Sequence, residues 1–385
     1  MDSTKGEAIM EIRIVDGIDK IDAHIWDSFV STNDPFGNHA FLRALENSKS
    51  VDESTGWIPC HIELSDNGHV VGVAPMYLKM HSYGEYIFDW GWAQGAERAG
   101  LQYYPKLLNA IPFTPATGTR LFSHTTEGKK VLWQAMNQLC TQMGASSTHI
   151  LFLPEEEYLL AQNIPNTIPR LTYQFHWNNP GMQTFDQWLS LFRAKSRKKV
   201  LVERKKAQAG VDRIYHVRGT ELTENHIERI WGFYCSTIDK KWGTPYLTRE
   251  FFNHLTTSLA EQTLVFLAEK DGEIIASSLC FQRGENLYGR YWGCSEFAKF
   301  LHFELCYHQP IELCIQKGWK RFEAGAQGQH KLKRGLLPSF TYSVHQLVHP
   351  GLHRAVEQAM IQENKLVERE VQIQSQHSPL KKITG

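Results

Sequence analysis

One order of elements is read twice along the chain, and this repetition constrains the fold more than any other feature. In the first half, a strand at 12–15 precedes helices at 21–30 and 38–48. Two β-rich runs in PCHIELSDNGHVVGVAPMYLK then flank Asp66, Asn67 and Gly68, where Asn-Gly supplies the positive φ of a tight turn. The pattern predicts a third strand at 85–92 (EYIFDWGW), a helix at 101–111 (LQYYPKLLNAI) and a strand at 119–122. A helix at 127–143, a strand at 149–153, a short helix at 155–162 and a strand at 171–177 close this half. The second half offers a strand at 213–217, helices at 223–239 and 248–260, two strands around Asp271-Gly272 and a third at 286–293. A helix over 300–318 follows, which Pro310 should kink or split. Strands at 320–326 and 341–348 and a polar helix to 376 end the chain. Both halves read β-α-α-β-β-β-α-β. Gly68 aligns with Gly272, Trp90-Gly91 with Trp292-Gly293, and LQYYPKLL with FLHFELCY. The expectation is an internal duplication.

Composition sets the outer limits. A chain of 385 residues corresponds to roughly two or three domains. With 42% hydrophobic and 21% charged residues it has ample material for cores. Lys+Arg and Asp+Glu are both 41, so any surface for nucleic acid or anionic lipid must be local. Seven cysteines without a C-x-x-C pair read as reduced, mostly buried thiols of a cytoplasmic protein, and zinc is not expected. The N-terminal MDSTKGEAIMEIRIV has no basic region ahead of an apolar run, so no signal peptide is expected. No window reaches about 18 uninterrupted apolar residues, so no membrane span is expected either.

Two segments concentrate charge. EAGAQGQHKLKRG (323–335) has glycines at 325, 328 and 335 and the basic group His330, Lys331, Lys333 and Arg334. Lys and Arg on a glycine-rich loop suit a polyanion. FRAKSRKKVLVERKKAQAG (192–210) carries eight basic residues, with only Glu203 to offset them. Helical spacing puts Arg193, Arg197 and Arg204 on one face and Lys195, Lys199 and Lys206 on another. Arg197, Lys198 and Arg204 are thus candidate contacts for phosphate. Aromatics do not interleave with the charges, so base stacking is not indicated. No Ser/His/Asp order is readable among 18 histidines.

The element order is that of the GNAT acyltransferase fold, and two tandem copies resemble the Fem-type aminoacyltransferases. Locally, WGWAQGAERAGLQYYPKLLNAIPFTPATGTRLF and FEAGAQGQHKLKRGLLPSFTYSVH resemble the FemAB-like family of peptidoglycan biosynthesis/recognition. The resemblance spans residues 11 to 350. It implies an α/β (α+β) protein with two tandem GNAT-like domains, each a mixed, mostly antiparallel sheet flanked by helices. Expected boundaries are 1–177, a basic connector at 178–210, a second domain at 211–350 and a polar helix and tail at 351–385.

The resemblance also implies acyl or aminoacyl transfer to the amine of a small molecule or peptide. In such a domain the strands after the central hairpin splay and receive the donor's acyl carbonyl against free backbone N–H groups. Here these are 287–293 and 320–325, with Gly289, Gly293 and Gly325 allowing close approach. Leu332-Lys333-Arg334-Gly335-Leu336 resembles the Fem-type F-K-x-G-F motif, with Leu in place of both Phe. By that similarity Lys333 and Arg334 face a phosphate, and Tyr291 and Trp292 line the cleft. The R/Q-x-x-G-x-G/A loop for the pyrophosphate of coenzyme A is absent from GCSEFAKF. That favours aminoacyl-tRNA over acetyl-CoA as donor, with tRNA on the basic helix. Proton acceptors for the attacking amine are sought in Glu323, His330 and Glu304, ahead of His302, His308 and Asp89. The alternatives are an acetyl-CoA-dependent N-acetyltransferase and a non-enzymatic recognition protein for a phosphorylated glycan or peptide precursor. The donor, and the half that carries chemistry, are left open, with the C-terminal half favoured.

Overall fold

The structure is a computed structural model that describes residues 10–239, 243–326 and 328–381. The chain divides into two compact units. The first gathers the described residues of Met1–Ser31, Phe36–Leu171 and Thr341–Asn364; the second gathers Thr32–Pro35, Thr172–Phe340 and Lys365–Gly385. The changes at 171/172 and 340/341 fall inside the strands Ile168–Asn178 and Leu337–Leu347. The final strand of the second half, expected within 211–350, therefore gives its residues from 341 onward to the first unit.

In the first unit, Met10–Val15, His61–Asp66, His69–Ala74 and Phe122–Ser123 form a four-stranded antiparallel sheet. Asn67 and Gly68 take the left-handed turn read from the sequence. Helix Ala23–Ser28 is capped by the Asp22 carboxylate and helix His39–Asn47 by the Asn38 side chain, which satisfy N–H groups that helix starts leave open. A second sheet runs Trp57–Pro59, Tyr77–Lys79, Lys106–Asn109, Ser147–Leu153 and the 342–347 part of the last strand. Lys106–Asn109 and Ser147–Leu153 are its parallel pair.

Two expectations for this unit fail, for local reasons. Residues 85–92 are not a strand: helix Trp90–Arg98 begins there, because Trp92 and Ala96, four apart, are both buried on one face. Residues 101–111 are not a helix. Pro105 has no N–H to donate and its ring obstructs a helical turn, and the run becomes the strand Lys106–Asn109. Trp90 is thus helical and Trp292 extended, and LQYYPKLL and FLHFELCY are not structural counterparts.

The second unit follows the sequence reading closely. Its sheet runs Arg213–Arg218, Thr263–Lys270, Glu273–Arg283, Asn286–Cys294, Arg321–Glu323 and the 176–178 end of Ile168–Asn178. All neighbours are antiparallel except Asn286–Cys294 with Arg321–Glu323. The helix expected at 248–260 is only Arg249–Asn253 followed by short 3₁₀ turns. The segment expected at 300–318 runs on through Pro310: Leu301–Phe303 is α, Glu304–His308 is a π turn and Gln309–Lys317 is α. The wider π turn just ahead of Pro310 leaves room for its ring, so the helix is neither split nor sharply broken. Trp188, Phe192, Leu305, Phe322 and Leu336 lie in the core between sheet and helices.

Gly335 ends the 3₁₀ turn Gln329–Arg334 at φ 83°, and a Cβ there would lie 2.6 Å from the Trp188 ring and 2.7 Å from the Phe192 ring. Gly335→Ala is therefore expected to lower stability by more than about 1 kcal/mol, from the strained φ and the collision together. Urea unfolding measures this; an unchanged midpoint contradicts the packing described.

Candidate functional site

Two neighbouring strands of the second unit stop pairing in the middle of the sheet. Asn286–Cys294 and Arg321–Glu323 pair in parallel at three positions, the last being Tyr288 with Glu323. Past that point Gly289 and Gly325 bring the two backbones close outside the ladder. A Cβ on Gly325, at φ 73°, would lie 3.4 Å from the Gly289 carbonyl oxygen. On its other side Asn286–Cys294 slips register against Glu273–Arg283 near Leu279/Cys280, a bulge that turns the strand. The parallel ladder thus ends, between two closely approaching glycines, where the acyl-binding cleft is expected. Gly293 has another role: a Cβ there would strike the Phe233 carbonyl oxygen at 2.2 Å, so this glycine lets helix Glu224–Asp239 lie against the strand.

The turn after Arg321–Glu323 is tied down by a residue that the sequence reading did not single out. Lys331 is 2% exposed, and its Nζ donates to the carbonyl oxygens of Gly325 at 2.6 Å and Ala326 at 3.2 Å. Burial pushes its ammonium down to about 7. Nothing in K-L-K-R marks Lys331 as the inward lysine. The 3₁₀ turn decides it, burying Lys331, Leu332 and Arg334 while Lys333 stays exposed.

Arg334, expected to face a phosphate, is instead buried. Its guanidinium grips Glu203 at 3.0 and 2.9 Å, donates to the His330 carbonyl at 2.8 Å and lies 3.4 Å over the Phe303 ring. Burial alone would raise the Glu203 carboxyl, but His308, Arg334 and Lys199 hold it below its ordinary range. The carboxylate that seemed to offset the basic helix thus faces inward.

Glu304 and Arg204, expected as proton acceptor and phosphate ligand, pair with each other. Arg204 reaches Glu304 at 2.9 Å and Glu312 at 2.5 Å and covers the Phe185 ring, and Glu304 also accepts from Gln208 and Gln309. Glu304 is fully buried, so both residues join helix Ala194–Gln208 to the π turn. Arg197 and Lys198 are exposed on that helix, and among the described residues neither pairs with a carboxylate.

Glu323 is 3% exposed beside Arg321 at 2.9 Å, with His176 Nε2 at 3.7 Å. Arg321 donates to His176 Nδ1 at 2.7 Å, and burial with Arg321 and Lys331 nearby keeps that imidazole neutral, well below its usual range. His330 is half-buried, with Nε2 at 2.8 Å from the Tyr307 hydroxyl. Burial, Arg334 and Lys331 lower it, so it is a neutral imidazole. Rings of Phe303, Tyr307 and His302 surround it, and His302 in turn meets Trp292 at 5.1 Å. Trp292 is half-buried, as is Tyr291 against Tyr234. The structure therefore groups Glu323, Gly325, His330 and Lys331 around the end of one strand, while Glu304 is engaged by Arg204. No group of His, Cys, Asp and Glu among the described residues is placed to hold a metal. No helix among them is long and apolar enough to cross a membrane.

Helices flank two sheets in the first unit and one in the second, pairing is mostly antiparallel in both, and the protein has the tandem GNAT-like fold class. Comparison with solved structures agrees. FemX is similar with a TM-score of 0.54 at 14% identity, over 88% of this chain and 98% of that one. A conserved protein of unknown function from Bacteroides thetaiotaomicron gives 0.52 at 10% identity, over 87% and 99%. The chain belongs to the FemAB-like family, described as peptidoglycan biosynthesis/recognition, which it matches over residues 17–382. A comparison with curated proteins returns no match.

Two predictions follow from the buried charges. Arg334→Met leaves Glu203 uncompensated and should cost about 3–5 kcal/mol. Lys333→Ala, exposed on the same turn, should stay within about 0.5 kcal/mol of the parent. Chemical denaturation of the two variants tests the assignment; equal losses contradict it. The second prediction concerns pH. Folded Lys331 gives up its proton near 7, whereas an unfolded lysine holds it to about 10.4. The unfolded state then binds more protons in that window, so this residue makes stability rise with pH from about 7 to 10. The difference in unfolding free energy between the parent and Lys331→Met should grow across that range; a constant difference contradicts the burial of Lys331.

Proposed function

We propose that the second unit transfers an acyl or aminoacyl group to an amine acceptor. The observation that carries this reading is the end of the parallel ladder at Tyr288 and Glu323, with Gly289 and Gly325 beside it. A carbonyl placed there meets backbone N–H groups outside the ladder, which stabilise the oxyanion of a tetrahedral intermediate. Lys331 holds the Gly325–Ala326 turn in place, so those groups are set before the donor arrives.

The amine nitrogen attacks the carbonyl carbon of an ester or thioester, the new C–N bond forms, and the C–O or C–S bond breaks. The attacking ammonium must lose a proton. We assign that proton to His330, a neutral imidazole held by Tyr307, rather than to Glu304, which is engaged by Arg204. Glu323, paired with Arg321, is a positioning residue for the strand end. The exposed Lys333, with Arg197 and Lys198, is the candidate surface for phosphates of the donor. Membership in a family described by peptidoglycan biosynthesis/recognition supports an acceptor bearing a peptide amine.

The test is a transfer assay read by mass spectrometry. Purified protein is incubated with short peptides bearing a free amine and with either aminoacyl-tRNA or acetyl-CoA. A mass gain equal to the acyl group, lowered about 10²-fold or more in His330→Ala at unchanged melting temperature, is the expected result. A gain from acetyl-CoA alone assigns the acetyl donor. Saturable peptide binding with no gain from either donor contradicts transfer and leaves a recognition protein.

A further inference from the structure

The first unit contains a cluster of buried charges that the transfer reading does not use. Lys79 and Lys106 stand directly opposite each other on neighbouring strands, and both are wholly buried. Lys106 Nζ donates to Ser82 Oγ at 2.8 Å, Glu85 Oε2 at 2.7 Å and Asp89 Oδ2 at 2.5 Å. The Tyr103 hydroxyl donates to the same Asp89 oxygen at 2.7 Å. The other oxygens, Glu85 Oε1 and Asp89 Oδ1, are buried without a hydrogen-bond partner. Both carboxyl groups are at most 4% exposed.

We propose that this cluster is a second binding site, which takes a primary ammonium group on Glu85 and Asp89 beside Lys106. Each open acceptor costs folding free energy unless a ligand or water completes it, and here two such oxygens lie beside one ammonium. The charges are also unequal. Lys106 faces two carboxyl groups, and Lys79 does not turn to either. Its Nζ lies 3.2 Å from His81 Nδ1, 3.4 Å from the Tyr83 carbonyl oxygen and 3.9 Å from the centre of the Trp57 ring. Burial pushes the Glu85 carboxyl up to about 7, whereas Asp89, although buried, is held below its ordinary range by Lys106 and His149, so Glu85 is the carboxylate short of a counter-charge.

What is missing is a group that donates hydrogen bonds and carries positive charge. An anion would add to the charge of Asp89, and a neutral hydroxyl would leave Glu85 without a counter-charge of its own. A primary ammonium supplies both, with three donors. A metal ion is disfavoured, since no group of three or more ligating side chains among the described residues is placed to hold one. The aromatic setting suits a cation: the Tyr103 and Tyr104 ring centres lie 5.8 and 6.0 Å from Lys106 Nζ. Tyr104 is half-buried, with its hydroxyl 2.8 Å from Ser82 Oγ, and marks the rim. The 80–89 segment covers the rest, turning Ser82, Glu85 and Asp89 inward and Met80, Tyr83 and Phe88 outward. The ammonium can belong to a free small amine or to a lysine side chain of a peptide.

The proposal is tested on the full chain by calorimetry at pH 7.5, with no acyl donor present. The probes are propylamine, the peptide Ala-Lys-Ala with blocked termini, and the same peptide acetylated on its lysine. Saturable binding of one or both ammonium probes is expected, at least tenfold tighter than the acetylated peptide. A preference for the blocked peptide assigns a peptide lysine, and equal binding of both amines assigns a free amine. Glu85→Gln and Asp89→Asn, near-isosteric changes, should each weaken binding at least tenfold. No saturable ammonium binding, equal binding of the acetylated peptide, or full binding by the folded variants overturns the site. The acetylated comparison uses only the parent protein, so it decides even if the variants fail to fold. Because no donor is present, failure here leaves the transfer reading intact, and failure of the transfer assay leaves this site intact.

Discussion

The buried pair of Arg334 and Glu203 is the interaction on which the second unit's site depends. It joins the basic helix to the 3₁₀ turn that follows the strand Arg321–Glu323. With that turn fixed, Lys331 points inward and holds the carbonyls of Gly325 and Ala326. With those carbonyls fixed, the backbone beside Gly289 keeps its place outside the ladder. Arg334 is matched by the Glu203 carboxylate, while Lys331 has only carbonyl acceptors, and burial lowers its ammonium accordingly. The same turn leaves Lys333 in solvent. A single segment thus separates two tasks, internal anchoring and an exposed cation.

Much of this was legible in the sequence, and what was not has identifiable causes. The strands of the second unit follow from alternation and from Asp271-Gly272, and the fold class from the order of elements. The first unit misled where one residue outweighed a pattern. Pro105 turned an apolar run that reads as helix into a strand, and the i, i+4 pair Trp92 and Ala96 turned an aromatic run that reads as strand into a helix. The segment that resemblance singled out gathers in space, with Glu323, Gly325, His330 and Lys333 all around one strand end. Resemblance could not tell inward from outward charge. Arg334 and Arg204 carry the same sequence signal as Lys333 and Arg197, and only the partners Glu203 and Glu304, 131 and 100 positions away along the chain, separate them.

The two units differ in how they use buried charge. In the second, Arg204 and Arg334 grip carboxylates and Lys331 grips carbonyls, and the open atoms left there are ring and guanidinium nitrogens such as Arg334 Nε and those of His308. In the first, Lys106 engages one oxygen of each of two carboxyl groups and leaves the others open. The proposed ammonium site rests on those open acceptors. A duplicated fold need not keep duplicated chemistry, and the failed alignment of LQYYPKLL with FLHFELCY fits that divergence. The segment that supplies Lys106 in the first unit has its sequence counterpart in a helix of the second.

The central claim is that the donor's acyl group enters where the strands Asn286–Cys294 and Arg321–Glu323 stop pairing. Amide hydrogen exchange, followed by mass spectrometry on the full chain with and without saturating donor, tests it most directly. The account predicts new protection confined to segments 286–294 and 321–335, present with the donor that supports transfer and absent with the other. Protection elsewhere, with those two segments unchanged under a donor that gives product, would contradict it.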